Sequence, residues 1–546
     1  MSKDKYDRQT RLWGEGQILI SSSHILCLNS DSTAAEVLKN LILSGIAEVT
    51  IVDNTLITEK DLELNFFINK DEINKIRSEM IKKNLFELNN DVKVNSINES
   101  IESFLNNPNL DINKYDVLLS TNLSNSLNEK LYELAEKHNK RLILIKNNGL
   151  YNMIKLYENY HGNMKLRLMD NPISDFRLSN PWEELINFSK TFDFEKMDDI
   201  DYTHVPYFII LIKALFIYRE KKNDLSFNPK TKDEKEEFKN IIKSFTRQNV
   251  EAENFDEAFS YYYYCNDDKK NLIDYKLDFI FETLKNNKLE DLLSKSNDIM
   301  KIFFIYFSAL KEYYNEKKTL PLCGNIPDMT SSTKNFIELK KIYNSKAEND
   351  RKEMKKYIDK LLLEINFNNK ENILKMINEV TEDKVDFIDI LNKNWPQVSL
   401  FIYPNYKEEE KGINLNEDDF DEDFKKINFI YYLLFRASEK FFEQYKRYPG
   451  TEEKFEDDIP KLKELLINEE KLLEKKPFEE IDNFDKKDDY IYEFCRMGKT
   501  YVPPCISIIS SIASQEIIKM ITYQFETVNN TIIYDGVSVN LSTFKI

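Results

Sequence analysis

His24-Ile-Leu-Cys-Leu-Asn29-Ser-Asp31-Ser-Thr33-Ala-Ala-Glu36 reads as a buried strand that turns directly into a helix. In nucleotide-binding α/β folds that crossing is the phosphate cradle, because free backbone N–H groups and the positive end of the helix dipole face the ligand. Glycine is needed there so that phosphate can approach the backbone without meeting a Cβ. This stretch contains none. Asp31 instead brings a carboxylate to the place an anion would take, and Thr33 with Glu36 has the spacing of a capping box that would occupy further N–H groups. Negative groups gathered at one helix end repel each other, so the shape of a nucleotide site is present and its chemistry is not.

Outward from this stretch, short apolar strands alternate with amphipathic helices. Val37, Leu38, Leu41 and Ile42 share one helix face, which stops near Gly45, and the next strand, 48–52, ends at Asp53. The pattern predicts a helix over 72–89, a short strand at 92–95, a strand over 116–120, a helix over 126–138 and a strand over 141–145. Repeated units of this length predict an α/β fold, a Rossmann-like, mostly parallel sheet with helices on both faces. From about residue 171 the texture becomes helical, with long patterns at 207–221, 302–316, 334–363 and 427–445, and an acidic stretch at 408–423 that reads as a solvated loop. From Asp488 α/β character returns as a helix over 507–522 and strands at 530–534 and 541–544. These are too few to fold alone, so they are expected to rejoin the first sheet. The expected division is 1–168 for the first part of the α/β domain, 169–487 for a mainly helical insertion and 488–546 for its last part.

Bulk composition narrows the function classes. With 546 residues, 41% of them apolar, the chain can bury more than one core. Its net charge of −18 requires any grip on nucleic acid or anionic membrane to come from a local basic patch, and none stands out in the sequence. The most apolar run, 207–218, is too short to span a bilayer and contains Lys213. Neither nucleic acid nor membrane is expected as a partner, and a cytoplasmic location, extending to the nucleus, is expected. Five scattered cysteines, four histidines and no CxxC pair argue against a disulfide framework or a zinc site.

Lys5-Tyr6-Asp7-Arg8-Gln9-Thr10-Arg11-Leu12-Trp13-Gly14 resembles the N-terminal signature of ubiquitin-like-protein-activating enzymes, and Ala513-Ser-Gln515-Glu516-Ile-Ile-Lys519 resembles a late helix of the same ThiF/MoeB-like superfamily. Further islands resemble one branch, the regulatory, non-catalytic subunits of neddylation activating enzymes. They are Arg177-Leu-Ser-Asn-Pro181-Trp, Thr203-His204-Val-Pro206, Leu320-Pro-Leu-Cys-Gly-Asn-Ile-Pro327, Lys341-Ile-Tyr-Asn-Ser-Lys-Ala-Glu-Asn-Asp350, Arg447-Tyr-Pro-Gly450 and Asp488-Asp-Tyr-Ile-Tyr-Glu-Phe-Cys495-Arg. The resemblance extends over almost the whole chain. It implies that residues 1–168 and 488–546 are an inactive ThiF-like adenylation domain and that 169–487 correspond to a catalytic-cysteine domain.

Active members of the family use ATP to adenylate a modifier's C-terminal glycine and pass it to a cysteine as a thioester. Of their nucleotide-site pattern this chain keeps Asp53 in the ribose-facing position. The glycine-rich loop is replaced by 29–33, Glu63 falls where an arginine is expected, Arg77 stands near the place of a lysine, and the fourth strand runs into Asn122 without an aspartate for magnesium. The resemblance therefore implies no cofactor bound by this chain, with ATP and magnesium held in a catalytic partner subunit. Arg8 matches an arginine that reaches into the partner's nucleotide pocket in trans, where a guanidinium stabilises charge building on the phosphates. The other implied partners are the Nedd-type modifier and, as a further candidate, its conjugating enzyme.

Several residues carry a plainer reading beside the functional one. Arg8 either serves as that trans finger or pairs locally with Asp7 while Tyr6, Leu12 and Trp13 anchor the segment, and Arg11 reads as an interface or packing residue. Asp53 either touches a ribose or caps its strand, with the cap favoured. His204 reads as a capping or packing histidine. Cys323 superficially resembles a thioester cysteine, but Gly324 replaces the hydroxyl residue that follows in catalytic subunits, and no base can be placed beside it. The alternatives to a neddylation regulatory subunit are the corresponding sumoylation subunit, a self-sufficient dinucleotide-binding oxidoreductase and a non-enzymatic scaffold.

Overall fold

The computed structural model describes residues 5–164, 176–248, 250–266, 275–367, 370–378, 384–404, 423–452, 454–473 and 487–546. The acidic stretch read as a loop at 408–423 lies outside them except for Asp423, which begins a helix.

Strand β1 (His24–Leu28) is apolar after its first residue because both faces of the sheet are covered. It pairs in parallel with β2 (Glu48–Val52) and β4 (Val117–Thr121). The strands β3 (Lys93–Ile97) and β5 (Arg141–Asn148) extend the parallel set on either side. A turn at Gly149, with φ at +63°, folds β6 (Tyr151–Tyr157) back on β5. Next to β6 come β9 (Thr531–Asp535) and β10 (Asn540–Phe544), so the C-terminal residues complete a single eight-stranded sheet in the order β10-β9-β6-β5-β4-β1-β2-β3. The α/β class read from the alternation is the observed one.

One sheet face is covered by helices Ser32–Leu43 and Pro503–Thr522, which pack on each other through Val37, Leu41, Ala513 and Ile517. Pro503–Thr522 is also long and apolar enough to cross a membrane, but two-thirds of it is core here. The antiparallel half is covered by helix Asp423–Tyr445, whose Phe429, Tyr432 and Leu433 share a core with Tyr151, Ile533 and Phe544. Sequence texture had joined this helix to the insertion; its buried face joins it to the sheet.

Two cores form the helical region between. One surrounds helix Tyr207–Lys222, the other helix Asp298–Lys317, and the 32-residue helix Thr333–Glu364 joins them with Leu339, Tyr343 and Ala347 in the first and Met354, Ile358 and Leu361 in the second. A short ribbon of β7 (His161–Asn163) and β8 (Ser399–Phe401) lies where this region leaves the sheet.

The sequence islands are tertiary knots. Arg177 donates to the Asp350 carboxylate (2.7 Å) and the Leu320 carbonyl (2.6 Å), and Asp350 also accepts the Leu322 N–H, so three islands, the first far from the other two in sequence, meet around one buried ion pair. Likewise Arg447 forks onto Asp458, which accepts the Gly450 N–H.

Candidate functional site: a closed nucleotide end and an exposed arginine

At the carboxyl ends of β1, β2 and β4, where open α/β sheets bind ligands, the chain packs its own side chains. In the turn after β1, Asn29 has φ at +93°, a conformation that usually falls to glycine. Asparagine tolerates it because its side chain bonds locally, here accepting the Ser30 N–H (2.8 Å) and donating to the Thr121 carbonyl (2.9 Å).

Asp31 is the N-cap of helix Ser32–Leu43, accepting the Ala34 N–H at 2.9 Å. Its carboxylate also accepts from the Thr121 hydroxyl (2.9 Å), the Asn122 amide (2.8 Å) and the Tyr501 hydroxyl (3.2 Å). Burial, followed by the Asp31 charge, pushes the Tyr501 phenol well above its ordinary value, so it stays a neutral donor. The expected capping box is not formed. Thr33 lies inside the helix and donates to Asn147 (2.7 Å), while Glu36 pairs with Lys39. The helix starts two residues earlier than the capping-box reading required, which makes Asp31 the cap and spends Thr33 on a long-range contact.

Arg77, the first residue of helix Arg77–Leu88, spans the neighbouring ground. It donates to Asp53 (2.9 and 3.2 Å), Asn29 (2.8 Å), Ser30 (3.1 Å) and Asp61 (3.1 Å). Asp53 further accepts the Ser30 hydroxyl and the Thr55 N–H and hydroxyl. Burial alone would raise the Asp53 carboxyl, but the Arg77 charge and these hydrogen bonds outweigh it and hold the group below the usual carboxylate range. Asp53 therefore ends its strand as the anchor of an ion pair. Glu63, assigned to the family's arginine position, is exposed, and Asp61 faces Arg77 instead.

Asp61, Thr121, Asn147 and Tyr501 escaped sequence reading because none belongs to a recognisable motif. The one available signal was the substitution of Asn122 after β4. Among the described residues no group of three or more His, Cys, Asp or Glu could hold a metal.

The signature segment forms helix Asp7–Trp13. Tyr6 is buried against Gly45, where an added Cβ would come within 2.5 Å of its ring, and its hydroxyl accepts from Asn89 (2.7 Å). Trp13 packs edge-on against Phe525, and its carbonyl accepts from Gln524. Leu12, expected as a third anchor, is 50% exposed because it lies on the outer face of the helix. The local partner offered to Arg8 is taken by Arg11, which pairs with Asp7 at 2.8 Å. Arg8 itself is exposed and makes no hydrogen bond or ion pair among the described residues.

His204 caps a short helix through the Ile200 carbonyl (2.7 Å). Cys323 is half-buried in a cleft with Tyr207, Tyr261 and Pro327, whose described lining contains no histidine.

A mostly parallel sheet with this turn after its first strand and a long insertion before its last strands defines a ThiF-type protein, and residues 6–152 match the ThiF family. The chain belongs to the family of NEDD8-activating enzyme E1 regulatory subunits. It is 32% identical to the protein of that name from Gallus gallus over 100% of this chain and 98% of that one. The Xenopus laevis protein of the same name is 30% identical (100% and 99% covered), and "NEDD8-activating enzyme E1 regulatory subunit AXR1" of Arabidopsis thaliana is also 30% identical (100% and 96%). These relatives decide against the sumoylation and oxidoreductase readings.

Proposed function

We propose that this chain is a pseudo-enzyme that completes the active site of a separate catalytic subunit. In this reading it binds no nucleotide and does not adenylate on its own. The partner holds ATP and magnesium, adenylates the Nedd-type modifier and forms its thioester, and Arg8 of this chain enters the partner's nucleotide pocket. The observation that carries the reading is the occupation of this chain's own site by Asp31 and Arg77. A phosphate group there would face a carboxylate already at the helix N-terminus, and a ribose would have to displace Arg77 from Asp53.

Arg8 suits its role because a guanidinium is always charged, presents a fixed fork of donors and is held here on a helix anchored at both ends by Tyr6 and Trp13. Its location in cytoplasm and nucleus, the docking of the modifier and conjugating enzyme, and the lack of a nucleic-acid or membrane partner belong to the same proposal.

Reconstitution tests it: this chain, a catalytic subunit of the family, modifier and ATP are mixed and ATP–pyrophosphate exchange is followed. Arg8→Ala should reduce exchange about 100-fold or more while heterodimer formation persists. Full exchange with the Ala variant removes the finger role, and modifier adenylation by this chain alone overturns the pseudo-enzyme reading.

A further inference from the structure

A second cleft, of about 620 Å3, opens at the other end of the sheet, between the starts of β4 and β5 and the start of helix Asp298–Lys317. The sequence run Lys137-His138-Asn139-Lys140-Arg141 forms one side of it. That run passes unnoticed in a chain of net charge −18, since a helix end, a left-handed turn at Asn139 and a strand start divide it. The fold sets it opposite Lys301, and an Asn139 hydrogen bond to the Ser294 carbonyl (3.0 Å) links the two walls.

Four permanent cations thus line a cleft with two carboxylates, and both carboxylates are engaged. Asp116 accepts the His24 N–H (2.8 Å), while Asp298 accepts from Lys301 (2.8 Å) and Asn372 (2.9 Å). The cations are less well matched. Lys140 donates to a neutral carbonyl, that of Asn113 (2.8 Å), and exposed Lys137 has no partner among the described residues. Arg141 is the exception: it is buried, lies 3.3 Å from Glu158 and donates to the Tyr523 hydroxyl, so the unmet charge is that of the lysines. Burial first, then the charges of Lys137 and Lys140, hold His138 below its ordinary value, as expected where positive groups crowd.

A small multiply charged anion relieves that crowding. Lysine ammoniums are point charges that reach tetrahedral phosphate from several directions, and the volume falls in the range of small-molecule sites. We propose that this cleft binds a small phosphate-bearing polyanion, held by Lys137, Lys140 and Lys301 at the junction of sheet and helical insertion. Occupancy couples the two regions, because each supplies one wall.

Titration calorimetry of the full chain with tripolyphosphate at low salt, without magnesium, tests this. Saturable binding is expected, with a raised melting temperature. The exposed-site variant Lys137→Glu and the double variant Lys137→Glu/Lys301→Glu should weaken it in steps, the double by about tenfold or more. Lys356→Glu, on a distant helix surface, should bind as wild type. Absence of saturable binding at millimolar tripolyphosphate, or an equal loss in Lys356→Glu, overturns the proposal. A hexaglutamate peptide that binds as tightly as tripolyphosphate overturns the phosphate assignment in favour of an acidic-peptide surface.

Discussion

Arg77 lays its guanidinium on the Asp53 carboxylate, with Nη2 2.9 Å and Nε 3.2 Å from Oδ2, and so fills the carboxyl end of β2 with a side chain of the following helix. Both groups are almost wholly buried, at 11% and 4% side-chain exposure. Breaking such a pair strands a charge. Arg77→Ala should therefore cost about 3–5 kcal/mol in urea unfolding, and Arg77→Lys should recover only part of it, because an ammonium cannot reach Asn29, Asp53 and Asp61 together. A loss under about 1 kcal/mol would contradict the ion-pair account.

The same pair fixes a pH dependence. Asp53 titrates below its usual 3.8 in the folded chain, so its contribution is present above that value and is lost as pH falls through the lower folded value. In Arg77→Ala, burial acts without compensation and the carboxyl rises. Acid unfolding of that variant should begin at higher pH than in the wild type, which circular dichroism across pH 2–6 would detect at about half-unit spacing.

Asp31 is both cap and acceptor for three side-chain donors, one buried and two half-buried. Asp31→Ala removes the cap and orphans the Thr121, Asn122 and Tyr501 groups, for an expected loss of about 2–3 kcal/mol. Asp31→Asn keeps an acceptor oxygen and should lose less than half as much. Equal losses in the two variants would show that charge, not hydrogen bonding, holds the turn.

Lys499 lies over the Tyr448 ring at 4.4 Å, and burial, with Lys146 nearby, pushes its ammonium down to about 7. Its ordinary value is 10.5, so between those values the unfolded chain binds more protons and stability rises with pH. Lys499→Met should raise the melting temperature at pH 7 and flatten its climb from pH 7 to 10. An unchanged slope would exclude Lys499 as its source.

Gly450 has φ at +77°, and a Cβ there would stand 1.7 Å from the Cys495 carbonyl oxygen. Since that oxygen belongs to a helix backbone it cannot step aside. Gly450→Ala should cost about 3 kcal/mol from strain and overlap together, measurable as a fall in the urea midpoint.

These residues also mark how far reading the chain could go. The turn at Asn29–Asp31 and the position of Arg77 were legible, because a missing glycine and a cation at the place of a lysine show at fixed distances along a strand–helix unit. The capping box failed because Asp31 and Thr33 both carry good capping groups, and only the direction of the first helical turn chooses between them. Asp61 was missed in favour of Glu63, since a short helix leaves two acidic residues equally near in sequence and on different faces in space.

The sequence by itself determined the alternation that makes a mostly parallel sheet and the absence of glycine from the turn after β1, both of which are read from neighbours within a few positions. Tertiary structure alone decided that helix Asp423–Tyr445 belongs with the sheet and that a basic run and Lys301 share one cleft. The reason is physical: hydrophobic periodicity and capping act over one or two helical turns, whereas the partner of a charge is whichever group the fold brings within a few ångströms.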